Sequence, residues 1–257
     1  MSVLFNTVLA TSAVALFSLI GIFTVSLTEK TIHKILFGLV AFSAGTILGA
    51  VNFGLLPKAV EQVEGFNVFI YLTLGFLSFF FLERFIYWYH GPPHERDICD
   101  KTKEGKVTKN MAYLNLLGDG VHNFVDGMVI AASFLTGFQV GLAATIAVIF
   151  HELPQEIGDY GILIYAGFKR RSALLLNFTV ALMVYLGGIF AMYYIETVET
   201  LTGLLLALSA GGFLYLGASE LIPELHKERD FRRSLIQFII FIGGMILIWS
   251  LRIIFHE

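Results

Sequence analysis

Two apolar stretches of the chain carry side chains that bind metal ions. The first stretch, NLLGDGVHNFVDGMVIAASF, begins at residue 115, and the second, TIAVIFHELPQEIGDYGILI, begins at residue 145. Their polar side chains are Asp119, His122, Asn123 and Asp126 in the first stretch, and His151, Glu152, Gln155, Glu156 and Asp159 in the second. Imidazole nitrogens together with carboxylate and amide oxygens suit Zn²⁺ and its first-row neighbours, whereas Ca²⁺ and Mg²⁺ prefer oxygen ligands alone. The stretches therefore predict a divalent metal site, with Zn²⁺ as the first candidate and Fe²⁺, Mn²⁺ or Cd²⁺ as alternatives.

Helical spacing brings these side chains together. Residues three or four apart lie on one helix face, which pairs His122 with Asp126 and His151 with Gln155. A short turn near 137–138 joins the two stretches into an antiparallel hairpin, so that the two polar groups lie at the same depth. We therefore expect one site between two helices, near the middle of the hairpin.

Composition indicates the environment of this hairpin. The 257 residues are 56% apolar and 14% charged, with a mean hydropathy of +0.77. A soluble domain has about 25% charged residues, so this composition argues against a cytosolic enzyme, a nucleic-acid binder and a disordered protein. The single cysteine, Cys99, excludes a disulfide framework and a cluster of thiolate ligands. We predict an all-α, polytopic integral membrane protein.

The predicted protein has one transport domain over 1–257 with eight transmembrane helices. A bilayer core of about 30 Å needs about 20 apolar residues per helix. Applied along the sequence, this length predicts spans at about 5–27, 35–56, 66–89, 111–134, 140–166, 172–195, 200–222 and 234–255. The first span has no basic region before it, so we interpret it as a retained helix rather than a signal peptide.

Basic residues predict the orientation. Of the 17 lysines and arginines, all but Lys58 and Arg252 lie in the connections that follow spans one, three, five and seven. The positive-inside rule places those connections in the cytoplasm and both termini outside. The one long connection, 90–110, is either a solvated linker or a loop that senses or hands over metal through His90, His94 and Cys99. Short loops favour a cell membrane, plasma or inner, as the location.

Buried charge favours a cation at the site. Each ionisable side chain near mid-span costs about 2.5–3.5 kcal/mol on insertion scales, and a bound cation is the simplest compensation.

Pro154 frees the carbonyl of Phe150, which produces either a packing kink or a bend that lines a cavity. The alternative to a metal site is an internal network of polar side chains that only holds the helices together. The alternative to metal transport is a proton-coupled or other cation transporter that uses the same buried residues. An intramembrane metalloprotease is disfavoured because Gln155 stands where H-E-x-x-H needs its second His.

Four segments resemble the ZIP (Zrt/Irt-like) family of metal transporters. They are HNFVDGMVIAASF and HELPQEIGDYGILIYAGF in spans four and five, SAGGFLYLGASELIPELHKE in span seven, and GTILGAVNFGLLPKAVE in span two. The fifth span is similar to the branch of the family that reads H-E-x-P-H-E-x-G-D. The resemblance extends over essentially the whole chain.

This resemblance implies an importer that moves Zn²⁺ or a related ion towards the cytoplasm without ATP hydrolysis, rather than an enzyme. It also implies a binuclear site halfway across the membrane, with ligand positions at His122, Asn123, Asp126, His151, Glu152, Gln155 and Glu220. We expect Asp119, Glu156, Asp159 and Asn52 to lie along the pathway or behind the ligands. Gln155 departs from the family pattern because it replaces a His. Expected partners are divalent metal ions and the lipid bilayer, with a homodimer left open and no nucleic acid.

Overall fold

The computed structural model describes residues 2–20, 29–63, 65, 67–90, 109–195 and 199–254. Every regular element within these ranges is helical. Most of the predicted 90–110 connection, including His94 and Cys99, lies outside the described residues. The predicted all-α class is confirmed for the part of the chain that is described.

The described helices form eight rods, named α1 to α8, in which short interruptions are counted as part of a rod. The first four are α1 (Val3–Phe17, followed by a 3-10 turn, Ser18–Ile20), α2 (Glu29–Ala50, a π turn Val51–Leu55, and Leu56–Gln62), α3 (Asn67–His90) and α4 (Lys109–Thr136). The others are α5 (Phe138–Tyr165), α6 (Arg170–Ala181 and Met183–Ile195), α7 (Glu199–Leu216, a π turn Gly217–Leu221, and Ile222–Leu225) and α8 (Phe231–Ile254).

Many of these rods are suited to cross a bilayer. Within the described ranges, five helical stretches are long and apolar enough to span: Val3–Ile20, Lys34–Gln62, Arg170–Tyr194, Thr202–Leu225 and Phe231–Ile254. A shorter apolar helix covers Asn67–Leu82. Helices α4 and α5, which carry the buried acidic residues, do not belong to this set. The chain is therefore a multi-pass membrane protein, and a total of eight spans stays a prediction.

Glycines allow the backbones of neighbouring rods to touch. A Cβ added at Gly127 of α4 would lie 2.0 Å from the carbonyl oxygen of Val184 in α6, and one at Gly75 of α3 would lie 2.0 Å from that of Leu208 in α7. Any side chain at these glycines would push the helices apart. Small residues have this role in membrane bundles, where close van der Waals packing replaces the hydrophobic driving force.

Helix α5 lies at the centre of the bundle. It contacts α1, α2, α4 and α8, and it turns back from α4 at Gly137, whose φ of +153° favours glycine. The half of α5 nearest this turn is buried in an apolar core that includes Val140, Ala144 and Val148. The helix then continues through Pro154 as far as Tyr165. Its central position places the polar residues after Val148 inside the protein rather than against lipid.

Candidate metal centre

Four side chains of the α4–α5 hairpin converge on one point. The Nε2 atoms of His122 and His151 lie 3.2 Å apart. Asp126 Oδ2 lies 3.0 Å from the Nε2 of His151 and 3.8 Å from that of His122. Glu152 Oε1 lies 3.4 Å from the Nε2 of His151 and 3.5 Å from that of His122. We call these four residues the midplane cluster, after the depth that the sequence predicts for them; all of them are buried.

The spacing within the midplane cluster fits one tetrahedral ion. Zinc binds nitrogen and oxygen ligands at about 2.0–2.2 Å, so two tetrahedral ligands stand about 3.3–3.6 Å apart. The five measured separations run from 3.0 to 3.8 Å and so bracket this value. Two imidazoles with two carboxylates also form a donor set that suits zinc and its first-row neighbours.

The imidazole of His151 is oriented as a ligand. Its Nδ1 atom lies 3.0 Å from the carbonyl oxygen of Ala147, one turn earlier in α5. An N–H at Nδ1 that donates to this carbonyl leaves a lone pair on Nε2, which faces the cluster. Metal-binding histidines are commonly fixed by such a second hydrogen bond from the other ring nitrogen. The backbone of α5 therefore supports the ring in a coordinating orientation.

The carboxylates of the cluster have no conventional hydrogen bonds. Both side-chain oxygens of Asp126 and both of Glu152 are buried and have no hydrogen-bond partner among the described residues. Buried charges are normally paired or coordinate a metal because their desolvation is costly. Carboxylate oxygens that face two imidazole nitrogens, with no other donor among the described residues, are complementary to a cation.

The two predicted amide ligands contact Asp119 in this structure. Gln155 Nε2 donates to Asp119 Oδ1 over 2.8 Å, and Asn123 Nδ2 donates to the same oxygen over 3.0 Å. Asn123 is fully buried and its Oδ1 has no hydrogen-bond partner within the described part of the chain. Asp119 is thus the common acceptor for both amides, one turn from His122.

The two other acidic residues of α5 face different neighbours. Asp159 Oδ1 accepts a hydrogen bond of 2.6 Å from Asn115 Nδ2 of α4. Glu156 is buried at the α5–α6 interface, where Asn177 Nδ2 donates to its Oε2. Sequence reasoning missed Asn115 and Asn177. Asn115 lies one turn before Asp119 on α4, and this helical spacing could have indicated that it belongs to the site. The sequence does not reveal the rotation of α6 that directs Asn177 towards Glu156.

A cavity of about 600 Å³ exposes one side of the midplane cluster. His122 and His151 line its inner end, and Glu224 and Lys227, at the end of α7, also line it. Glu220, predicted as a ligand of the second metal, lies on the α7 wall in the π turn. The cluster is therefore connected to the end of the bundle where α7 leads into α8.

The opposite end of the bundle has a smaller cavity of about 140 Å³, which Val140 and Ala143 line from α5. The buried residues between it and His151 on α5 are small, and all but Thr145 are apolar: Ala144, Thr145, Ala147 and Val148. Asn52, in the π turn of α2, is exposed, and its amide donates to the Leu48 carbonyl over 2.8 Å. Access to the cluster is thus wide on one side and narrow on the other.

Comparison with known proteins identifies the family. The family model described as ZIP zinc transporter matches residues 89–252. Zinc transporter ZIP13 of Pongo abelii is 33% identical over 225 residues, which cover 81% of this chain and 64% of that protein. Zinc transporter ZIP10 of Mus musculus is 36% identical over 142 residues, covering 55% of this chain and 17% of that protein.

Zinc transporter ZIP4 of Homo sapiens is 35% identical over 152 residues, covering 54% of this chain and 23% of its own length. The chain thus spans 64% or less of the length of these three relatives. The match to the family model includes the whole α4–α5 hairpin and the cavity wall formed by α7. Because that match covers well over half of the chain, the protein belongs to the ZIP zinc transporter family.

Proposed function

We propose that this protein imports divalent metal ions, Zn²⁺ above all, and that the midplane cluster holds the ion during transport. The observation that carries the proposal is the convergence of two imidazole nitrogens and two carboxylate oxygens within 4.8 Å of one another. Apart from these two imidazoles, no hydrogen-bond donor satisfies those carboxylates among the described residues. A transported cation supplies the missing positive charge.

The direction of the large cavity supports import. Its mouth lies beside the α7–α8 connection, which carries Lys227 and Arg229 and is followed by Arg232 and Arg233 in the first turn of α8. The positive-inside rule puts this connection in the cytoplasm. An ion in the midplane cluster therefore has an open route to the cytoplasm, while small buried side chains of α5 lie between the cluster and the smaller cavity at the other end.

We further propose a binuclear centre, as the family resemblance implies. Asp126 and Glu152 each use one carboxylate oxygen in the midplane cluster and keep the other without a hydrogen bond among the described residues. Such oxygens can bridge to a second ion. Asn123 and Gln155 lie one turn from these carboxylates on the same helices, and Glu220 of α7 lines the same large cavity.

We place the protein in a cell membrane, plasma or inner, as a multi-pass transporter with both termini outside. The apolar spans and the distribution of basic residues support this arrangement. A homodimer is compatible with the exposed apolar surface, which a lipid bilayer would also cover.

Uptake of radioactive zinc into proteoliposomes tests the proposal. We expect His122→Ala and Glu152→Ala to abolish uptake while the protein still folds and inserts, because each removes one of four ligands. Asp230→Asn is the matched control: Asp230 is exposed and accepts a hydrogen bond from the Arg233 amide at the start of α8. Asparagine preserves such a cap, so this variant should transport normally.

Competition by Fe²⁺, Mn²⁺ and Cd²⁺ in the same assay ranks the ions. Normal zinc uptake by well-expressed His122→Ala and Glu152→Ala proteins would contradict the proposal. A wild-type protein that moves protons but none of the four metals would instead support a different cation transporter that uses the same cluster.

A further inference from the structure

Side chains of α4 and α5 form a ladder from the midplane cluster towards the cavity mouth. The first rung is His122 with His151, and the second is Asp119 with Gln155, whose amide nitrogen lies 2.8 Å from the carboxylate. The third rung joins Asn115 and Asp159 over 2.6 Å. All six residues line the large cavity, each rung about one helical turn from the previous one.

The second and third rungs keep unused oxygen ligands. In each rung a carboxamide donates its N–H to one carboxylate oxygen, Oδ1 of Asp119 or of Asp159. The other oxygen, Oδ2, is buried in both residues and has no hydrogen-bond partner among the described residues. Asp119 is 5% exposed and Asp159 is 7% exposed, so water cannot solvate these carboxylates as it would at a surface. Two buried carboxylates on one cavity wall, each with one oxygen that lacks a hydrogen bond among the described residues, can bind a cation.

The chemistry of these rungs differs from that of the midplane cluster. They offer carboxylate and amide oxygens and no imidazole, which is a harder donor set that suits Mn²⁺ better than it suits zinc. Two carboxylates balance the charge of one divalent ion. Asn115 and Asp119 lie one turn apart on α4, where Cβ atoms are about 5–6 Å apart. The Asp159 carboxylate of α5 lies 2.6 Å from the amide of Asn115, so it is close enough to Asp119 for both carboxylates to reach one ion.

We propose that Asp119 and Asp159 form a separate divalent-cation site, with the amide oxygen of Asn115 as a further ligand and Gln155 holding Asp119 in position. This exit site rests on the proposed function, since it would receive the ion that leaves the midplane cluster towards the cytoplasm. It binds through oxygen alone and more weakly than the cluster, so that an ion can pass on to the cavity mouth.

Metal binding to the full-length purified protein tests the exit site. Zn²⁺ is first bound to the midplane cluster and quantified after dialysis, and Mn²⁺ is then titrated while its free aquo ion is followed by electron paramagnetic resonance. We expect Asp119→Asn and Asp159→Asn to weaken Mn²⁺ binding at least about tenfold, the size seen when even an outer partner of a metal ligand is lost. The amount of zinc retained after dialysis should change less than about twofold in Asp159→Asn, because residue 159 lies two helical turns from His151.

Two further variants control the experiment. Glu224→Gln removes a carboxylate from the same cavity but from the α7 wall, outside the ladder, and should bind Mn²⁺ like the wild type. Asn115→Asp adds a third carboxylate to the site and should tighten Mn²⁺ binding several-fold, a gain that a misfolded protein would not show.

The outcomes separate this inference from the proposed function. Unchanged Mn²⁺ affinity in Asp119→Asn, Asp159→Asn and Asn115→Asp, or no Mn²⁺ bound beyond the zinc-loaded cluster, would overturn the exit site while leaving zinc transport intact. If the wild type bound no zinc at all, the proposed function itself would fail.

Discussion

Replacement of Asp126 by Asn should have opposite effects on the metal-free and the zinc-bound protein. Asp126 is completely buried, and neither of its carboxylate oxygens has a hydrogen bond among the described residues. An ionised Asp at mid-membrane costs about 2.5–3.5 kcal/mol on insertion scales. Asparagine has the same shape without the charge, and its N–H can donate to His151 Nε2, which lies 3.0 Å from Asp126 Oδ2. The metal-free Asp126→Asn protein should therefore be more stable than the wild type, by at most that amount.

Zinc should then stabilise Asp126→Asn less than it stabilises the wild type. Free zinc at 100 times the dissociation constant adds about 2.7 kcal/mol of stability, and a tenfold weaker site adds only about 1.4 kcal/mol at the same concentration. We expect at least this reduction, because the variant loses one of four ligands and half of the negative charge of the cluster.

Thermal unfolding of the purified protein in detergent, with EDTA and with buffered zinc, measures both effects. Asp230→Asn is the control. It should change neither the stability of the metal-free protein nor the stabilisation by zinc, because asparagine can still cap the exposed start of α8. Two results together would contradict this prediction: a metal-free Asp126→Asn protein that is less stable than the metal-free wild type, and a stabilisation by zinc equal to that of the wild type. Asp126 would then belong to an internal polar network that only holds helices together.

Three further predictions concern packing and selectivity. Gly127→Ala, whose Cβ would meet a backbone carbonyl of α6 at 2.0 Å, should destabilise the protein by about 1–3 kcal/mol in thermal unfolding, whereas Gly243→Ala, with no atom within 4 Å, should be neutral or stabilising. Gln155→His should alter the relative uptake of Zn²⁺, Fe²⁺ and Mn²⁺ in proteoliposomes, and identical ratios would show that this position does not contact the ion. Asn177→Ala should cost about 1–3 kcal/mol of stability, because it leaves a buried oxygen of Glu156 without its donor, and wild-type stability would mean that this interface is hydrated.

The sequence predicted the convergence of ligands because helix periodicity and one short turn suffice to place them. His122 and Asp126 share a face at i, i+4, and the hairpin brings His151 and Glu152 to the same depth. These are local features, so no knowledge of the remaining helices was needed. Helical spacing also made Gln155 a candidate ligand beside His151, and the family resemblance placed both Asn123 and Gln155 at ligand positions. The structure shows both amides bound to Asp119, and their role as ligands stays a prediction.

Features that depend on packing between helices were less predictable. The π turns of α2 and α7 each end two residues before a proline, Pro57 and Pro223. Proline clashes with the carbonyl four residues earlier, which in both helices falls within the π turn, so a wider turn relieves the clash. Pro154 has the same chemistry, yet α5 continues through it without a π turn. The residue type indicates a distortion, but surrounding contacts decide its form.

The central claim is that the midplane cluster binds the transported ion through two imidazoles and two carboxylates. Zinc K-edge X-ray absorption of the zinc-loaded protein tests this claim most directly. We predict a first shell of nitrogen and oxygen at about 2.0–2.2 Å. Outer-shell imidazole scattering should fall in His151→Ala. A sulfur shell at about 2.3 Å, which would place the ion at Cys99, or a spectrum unchanged in His151→Ala, would contradict it.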